Sequence, residues 1–154
     1  MFERILVCLD GSKLAEQILP YATEQALKFE SKVTLLQVMT VPSSVSAAAG
    51  AAAQTGDIMK EESQRREADI RAYLDKLGQD LLKKGANTDC VVLQPSPPGE
   101  AIVRYAWDTS VHLICIATHG RSGLRRAVFG SVADHILRES GLPILLIRPK
   151  EPRT

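Results

Sequence analysis

Five short apolar segments are the feature that most constrains the fold of this chain. Each is rich in Val, Ile and Leu and is mostly continuous, without regular alternation of polar residues. They are RILVCL (4–9), KVTLLQVM (32–39), DCVVLQ (89–94), VHLICIA (111–117) and PILLIR (143–148). A strand with one solvated face alternates polar and apolar residues, whereas a continuous run is typical of a strand buried on both faces. The five segments therefore predict a parallel sheet covered by helices.

Helical periodicity lies between these segments. After Asp10-Gly11-Ser12, apolar residues recur at helical spacing as far as Ala26, with Ser12 as the predicted N-cap. Pro20 falls inside this segment and predicts a kink or a local break. A second helix is predicted over 70–81, ending near Gly85.

The rest of the chain continues the alternation. The segment 60–69 carries both signs of charge and is interpreted as a solvated helical face, while further helices are predicted to begin at Pro98 and at Ser131. Strand and helix alternate throughout, so we expect an α/β fold. Its predicted form is a doubly wound, five-stranded parallel sheet with helices on both faces.

Composition excludes several classes of protein. With 154 residues the chain fits one domain, 1–154, and Lys+Arg of 19 against Asp+Glu of 18 leaves a net charge of +1. No nucleic-acid partner is expected, because phosphates call for a strongly basic surface. No membrane association is expected, because no apolar run approaches the roughly 20 residues of a spanning helix.

The cysteines and the first residues indicate the compartment. Cys8, Cys90 and Cys115 lie far apart in apolar segments without zinc-ligand spacing, so we expect buried thiols in a reducing environment. The beginning, MFERILVCLDGS, carries a carboxylate and enters a strand pattern at once, which argues against a signal peptide. The predicted localisation is cytoplasmic.

One segment interrupts the alternation. Residues 42–57 begin with PSSVSAAAGAAAQTG, which holds no charge and little beyond Ala, Ser and Gly. Such a segment buries too little apolar surface to offset the entropy of ordering it. We predict a mobile loop at 42–57, and a lid over a site is the functional alternative.

Two polar, glycine-containing loops follow predicted strands, where ligands bind in open α/β sheets. The first is Asp10-Gly11-Ser12, and the second is ATHGRSGLRRAVFGSV at 117–132. In the second loop, Gly130-Ser131 opens a helix whose unpaired first-turn N–H groups and dipole favour an anion. The same residues also suit plain turns and a helix cap, so the pattern alone leaves both interpretations open.

The chain resembles the universal stress protein family, small Rossmann-like proteins of the adenine nucleotide alpha-hydrolase-like superfamily. The resemblance covers nearly the whole length and is carried by RILVCLDGS, VTLLQV, ICIATHGRSGLRRAVFGSVADHILRES and LPILLIRP. Nucleotide-binding members share the pattern Gly-x2-Gly-x9-Gly-Ser/Thr. Here Ala117 replaces the first glycine, while Gly120, Gly130 and Ser131 match.

The resemblance implies a site for an adenine nucleotide. ATP is the expected ligand, AMP or cyclic AMP is the alternative, and Mg²⁺ could accompany ATP. Asp10 is expected to accept a hydrogen bond from adenine or ribose, Val38 to pack on adenine, and Cys8 to line the ribose. The phosphates are expected at Gly120, Gly130, Ser131 and Val132, and of the loop arginines only Arg121 is expected to contact them. The implied nucleotide-binding set is Cys8, Asp10, Ser12, Val38, Ala117, Thr118, Gly120, Arg121, Gly123, Gly130, Ser131 and Val132.

The resemblance also implies a homodimer. Family members commonly pair through the last strand, here Pro143, Ile144, Leu145, Leu146, Ile147 and Arg148. An apolar edge strand of this kind invites pairing with a second copy. The expected function is a dimeric, ATP-binding stress or regulatory protein, and a dimeric scaffold that binds no nucleotide is the alternative, motivated by Ala117. No catalytic residue or metal site is predicted, and slow ATP hydrolysis is not required.

Overall fold

The computed structural model describes residues 1–40, 55–118 and 130–150. Its five strands form one sheet in the order β3-β2-β1-β4-β5, and every neighbouring pair is parallel. The strands are β1 (Arg4–Leu9), β2 (Lys32–Val38), β3 (Asn87–Leu93), β4 (Leu113–Ala117) and β5 (Ile144–Ile147). The helices are a 3₁₀ helix (Ala15–Ile18), α1 (Leu19–Phe29), α2 (Thr55–Lys83), α3 (Pro98–Asp108) and α4 (Ser131–Glu139). The predicted doubly wound α/β fold is confirmed.

The core lies on both faces of the sheet, as the continuous apolar segments predicted. In β1, Ile5, Val7 and Leu9 pack on one face, against residues of the 3₁₀ helix, α1 and α2. Leu6 and Cys8 pack on the other face, against residues of α3 and α4. Because side chains alternate along a strand, a strand buried on both faces has to be apolar at consecutive positions.

The first predicted helix is divided in two. Ser12 Oγ accepts a hydrogen bond from the amide of Ala15, the first residue of the 3₁₀ helix, at 3.1 Å. Ser12 is therefore not the N-cap of the α-helix, which the sequence predicted, because the N-cap of α1 is Ile18. Pro20 lies in the first turn of α1, where the missing N–H costs nothing because that group has no intrahelical partner. The local break predicted at Pro20 is confirmed, with the α-helix starting beside it.

Helix α2 is longer than the periodicity at 70–81 indicated. It spans 29 residues from Thr55 to Lys83 and includes the charged segment 60–69 as predicted. The loop predicted at 42–57 is wrong at its end, because residues 55–57 belong to α2. The rest of the predicted loop, 42–54, lies outside the described residues. Beyond the last helical residue, Gly85 adopts a φ of +93°, a conformation that favours glycine.

The cysteines are free, and their burial differs from what was predicted at one position. Cys8 and Cys115 are buried, but Cys90 is only half-buried, because β3 lies at an edge of the sheet. Burial raises the pKa of the Cys90 thiol to about 11, with the neighbouring Asp75 carboxylate adding to the effect. Within the described ranges no helix has the length and apolarity needed to cross a membrane.

Candidate functional site

A cleft of about 400 Å³ opens at the carboxyl edge of the sheet, beside the point where the strand order reverses between β1 and β4. Open α/β sheets bind ligands at this place because the loops on either side of it diverge. The lining residues come from the ends of β1, β2 and β4 and from the starts of the 3₁₀ helix, α3 and α4. They are Cys8, Leu9, Asp10, Ala15, Gln37, Val38, Thr40, Pro98, Ile102, Ile116, Ala117, Thr118, Gly130, Ser131, Val132 and Ala133.

The turn after β1 is fixed by its own side chains. Asp10 Oδ1 accepts a hydrogen bond from the amide of Ser12 at 2.9 Å, while Gly11 adopts a φ of +81°. This Asx-type turn is favoured because a short carboxylate satisfies the backbone two residues on, and because glycine takes positive φ without strain. Asp10 is exposed and lines the cleft, whereas Ser12 does not line it and serves the 3₁₀ helix.

The start of α4 places the first backbone N–H groups of a helix on the opposite side of the cleft. Gly130 is the N-cap residue, with no side-chain capping hydrogen bond, and Ser131 is the first helical residue. The first N–H groups of an α-helix have no partner within the helix, and the helix dipole adds partial positive charge there. Asp134 is the fourth residue of α4, and its Oδ2 accepts a hydrogen bond from Arg138 Nε at 3.0 Å. The geometry at Gly130 and Ser131 suits an anionic group.

Thr118 lines the cleft, but both of its hydrogen-bond donors are bonded to β5. Its amide donates to the Ile147 carbonyl at 2.9 Å, and its hydroxyl donates to the same oxygen at 3.4 Å. Both groups therefore hold β5 in place. Ala117 ends β4 and is 6% exposed, with its methyl group among the buried residues on the α1 side of the sheet.

The wall below these polar groups is apolar. Val38 and Cys8 are buried on the α3 and α4 side of the sheet, and Ile102 and Ile116 adjoin them. Burial, and secondarily Cys115, raises the pKa of the Cys8 thiol far above its usual range, so the thiol stays protonated and acts as an apolar surface. Such a wall is suited to an aromatic or heterocyclic ring.

Eight of the twelve predicted binding residues meet in this cleft: Cys8, Asp10, Val38, Ala117, Thr118, Gly130, Ser131 and Val132. Ser12 lies next to the cleft without lining it. Gly120, Arg121 and Gly123 lie outside the described residues, as do Arg125 and Arg126. Among the residues the structure describes, no group of three His, Cys, Asp or Glu side chains could hold a metal ion.

Sequence reasoning missed several lining residues. Pro98 was interpreted only as the start of a helix, and Ile102 and Thr40 were not predicted to line a site. Gln37 was also missed, although a lone amide inside the apolar segment KVTLLQVM was a usable signal. Its Oε1 is inaccessible to solvent and has no hydrogen-bond partner in the described part of the chain.

A family model matches the chain over nearly its whole length. The model of the universal stress protein family covers residues 1–148. The chain belongs to the universal stress protein family. The resemblance noted in the late glycine-containing segment and in the strand sequences is thereby confirmed.

Relatives within the universal stress protein family come from distant organisms. The chain is 26% identical to universal stress protein MJ0531 of Methanocaldococcus jannaschii, over 98% of this chain and 85% of the relative. It is 25% identical to universal stress protein YxiE of Bacillus subtilis, over 96% of this chain and 100% of the relative.

Solved structures share the fold. The structure of MJ0577 superposes with a TM-score of 0.79 at 22% identity, covering 99% of both chains. A universal stress protein in complex with cAMP has a TM-score of 0.66 at 16% identity, over 97% of this chain and 98% of that one. A universal stress protein of Archaeoglobus fulgidus in complex with dAMP has a TM-score of 0.61 at 22% identity, over 96% of this chain and 100% of that one.

Proposed function

We propose that this universal stress protein binds an adenine nucleotide in the cleft beside β1, with ATP as the preferred ligand, and acts in the cytoplasm as a dimeric stress-response or regulatory protein. The observation that carries the proposal is the meeting of the Asp10 turn with the first turn of α4 in one cleft.

The two ends of the cleft suit the two ends of a nucleotide. Residues after β2 and residues after β4 are separated by two strand spacings, roughly 10 Å, with Asp10 between them. The phosphates fit the Gly130–Ser131 end, where backbone N–H groups and the helix dipole favour negative charge. The nucleoside fits the β2 end, where Val38 supplies an apolar surface and the Asp10 carboxylate accepts hydrogen bonds from hydroxyl groups.

Ala117 does not oppose this proposal. Its methyl group packs with the buried residues on the α1 side of the sheet, so its volume is largely absorbed by the core. The complexes of related folds with cAMP and dAMP support an adenine nucleotide as the ligand class. If Mg²⁺ takes part, it enters on the phosphates of ATP, because this cation commonly binds through substrate phosphate oxygens.

Calorimetric titration tests the proposal. Protein stripped of nucleotide is titrated with ATP and AMP, with GTP as the comparison ligand. We expect saturable binding of an adenine nucleotide with one site per chain. Asp10→Asn keeps an oxygen to accept the Ser12 amide but removes the charge, and we expect about tenfold weaker binding. Saturating concentrations of both adenine nucleotides that give no heat with the wild-type protein contradict the proposal.

The dimer is the second part of the proposal and rests on β5. This strand lies at one edge of the sheet, is composed only of Ile and Leu, and is half-buried along its length. The other edge, β3, carries Asn87, Thr88 and Asp89, and Asp89 pairs with Lys32. Polar and charged residues protect an edge strand against pairing, whereas an unprotected apolar edge favours it. Pairing of two β5 strands about a two-fold axis would cover the apolar edge and close the assembly.

A dimeric scaffold without nucleotide is the alternative function, and the same apolar edge supports it. It differs from the leading proposal in one respect that can be measured. In a scaffold, Gly130→Val leaves partner binding unchanged and the wild-type cleft binds no adenine nucleotide.

A further inference from the structure

Tyr73 connects α2 to the 3₁₀ helix beside the cleft. Its hydroxyl donates a hydrogen bond to Glu16 Oε1 at 3.2 Å, and its ring packs against the buried residues on the α1 side of the sheet. Lys13 Nζ also donates to both Glu16 oxygens at 2.9 Å, but the Lys13 side chain is 88% exposed, so this ion pair contributes little. The half-buried bond from Tyr73 is therefore the contact that ties the Glu16 carboxylate to a separate helix.

Two further hydrogen bonds lead from Glu16 to Asp10. The Glu16 amide donates to the Ser12 carbonyl at 3.2 Å, and the Ser12 amide donates to Asp10 Oδ1 at 2.9 Å. Both bonds use the backbone of Ser12, so they do not depend on its hydroxyl. Ala15, the residue before Glu16, lines the cleft together with Asp10. The Tyr73 hydroxyl is therefore connected to the Asp10 carboxylate through one short segment of chain.

The Tyr73 hydroxyl lies within range of the charge on both carboxylates. Burial, then Glu16 and, less strongly, Asp10 raise the pKa of Tyr73 far above its usual range. The hydroxyl therefore stays protonated at neutral pH and remains a donor. Because an ionised acceptor strengthens a hydrogen bond, the contact with Glu16 is well suited to hold the 3₁₀ helix in place.

We propose that Tyr73 is a positioning residue, which holds the Asp10 carboxylate, through Glu16, where it can bind the ribose hydroxyls of a nucleotide. This inference rests on the proposed nucleotide function. A binding group has to be held to within about 0.5 Å of its productive position, and the support comes from residues that do not touch the ligand. The Asp10 turn is exposed and contains the permissive backbone of Gly11, so it depends on support from outside the turn. Helix α2 supplies that support through Tyr73.

Calorimetry with paired ligands tests this inference. Tyr73→Phe removes only the hydroxyl, and 2′,3′-dideoxy-ATP lacks both hydroxyl groups that Asp10 would bind. We expect Tyr73→Phe to bind ATP roughly threefold to tenfold more weakly than the wild-type protein does, because Asp10 is less well held. Dideoxy-ATP should bind the variant and the wild type with the same affinity, since it lacks the groups that contact Asp10. Tyr21→Phe is the matched control and should bind both ligands as the wild type does, because Tyr21 is an exposed residue of α1 that does not line the cleft.

Each outcome has a distinct meaning. If Tyr73→Phe weakens both ligands equally, the hydroxyl supports the fold in general and the inference is wrong. If it weakens neither, Tyr73 does not position Asp10, and the inference is again wrong. If the wild-type protein binds ATP and dideoxy-ATP equally, Asp10 does not bind the ribose hydroxyls, and the inference fails while nucleotide binding stands. If the wild-type protein binds neither ligand, the proposed function itself fails and the inference fails with it. Circular dichroism and thermal melting of each variant establish that it is folded.

Discussion

At the scale of single residues, the shape of the cleft depends on three glycines, each of which has a different role. Gly11 brings the turn against Gln37, and Gly130 begins α4 without a side-chain cap. Gly99 has a different role, because it lets α3 approach α4 at His135. The contact matters for the site, since Pro98 of α3 and Val132 of α4 both line the cleft.

Gly99→Ala tests this close approach. A Cβ atom at this position would lie 2.8 Å from both Cβ and Cγ of His135, closer than carbon atoms pack, so α3 and α4 would have to separate. We expect the free energy of unfolding to fall by about 1–3 kcal/mol, measured by urea denaturation.

Gly56→Ala is the matched control, because among the residues that the structure describes no atom lies within 4 Å of a Cβ built at this exposed helical position. There alanine should be neutral or stabilising by up to about 1 kcal/mol, since glycine is a poor helix former. Equal stability of the Gly99→Ala protein and the wild type would show that the two helices are not tightly packed.

At the scale of elements, the ends of helices position the site. The 3₁₀ helix and α1 share one segment of chain, and the division at Pro20 lets the Asp10 turn lead directly into the short 3₁₀ helix beside the cleft. Gln17 then ties this helix to the chain after β5, with its amide oxygen and nitrogen bonded to the backbone of Lys150, both at 2.9 Å. The 3₁₀ helix beside the cleft and the chain after the edge strand are therefore connected through one residue.

Helix α2 also extends toward the edge that carries the cleft. Its 29 residues span roughly 43 Å, whereas the seven residues of β3 span roughly 23 Å. Gln94 follows the last residue of β3 and donates a hydrogen bond to Glu67 of α2 at 3.0 Å. Glu67 therefore lies level with the carboxyl edge of the sheet. Because α2 runs antiparallel to the strands it connects, its first turns project beyond the carboxyl edge of the sheet.

Ser12→Ala tests the hydrogen bond at the start of the 3₁₀ helix. The substitution removes the acceptor for the Ala15 amide and should reduce the free energy of unfolding by about 1 kcal/mol, the typical net contribution of one hydrogen bond. Because Ser12 does not line the cleft, ATP affinity measured by calorimetry should change less than threefold. Ser12→Thr retains a hydroxyl and should recover most of the stability. A large loss of ATP affinity with unchanged stability would instead make Ser12 a ligand-binding residue.

At the scale of the whole molecule, the two edges of the sheet differ. The β3 edge is polar at its start, while β5 presents only Ile and Leu. Fold, cleft and edge are linked, because Thr118 at the cleft holds the backbone of Ile147 in β5 through two hydrogen bonds. In a dimer formed through β5, these two hydrogen bonds would connect the cleft to the subunit interface.

Leu146→Asp tests the proposed dimer. A carboxylate in the middle of the apolar edge strand would be desolvated by pairing, so we expect sedimentation velocity to show a monomer where the wild-type protein is a dimer. Asn87→Asp, which adds a carboxylate to the other edge strand, should remain dimeric. A thermal melt of each variant checks that the fold persists. A folded Leu146→Asp protein that still sediments as a dimer would place the interface elsewhere.

The sequence determined the local features of this protein. Continuous apolar segments predicted a parallel sheet covered by helices, although the edge strands β3 and β5 are only partly buried. Pro20 predicted a kink or a local break, and the Gly130-Ser131 pair indicated a helix start suited to an anion. These features depend on near neighbours in the chain, whose effect on the backbone is direct.

Only the tertiary structure decided which of these features meet. Nothing local in the chain fixed the strand order β3-β2-β1-β4-β5, and this order places the residues after β2, β1 and β4 side by side around one cleft. Gln37 could therefore be noticed in the sequence as an amide among apolar residues, but its position against the Gly11 turn exists only once β1 and β2 are adjacent. Contacts between residues far apart in the chain depend on how the whole sheet packs, and the sequence of a short segment does not determine that packing.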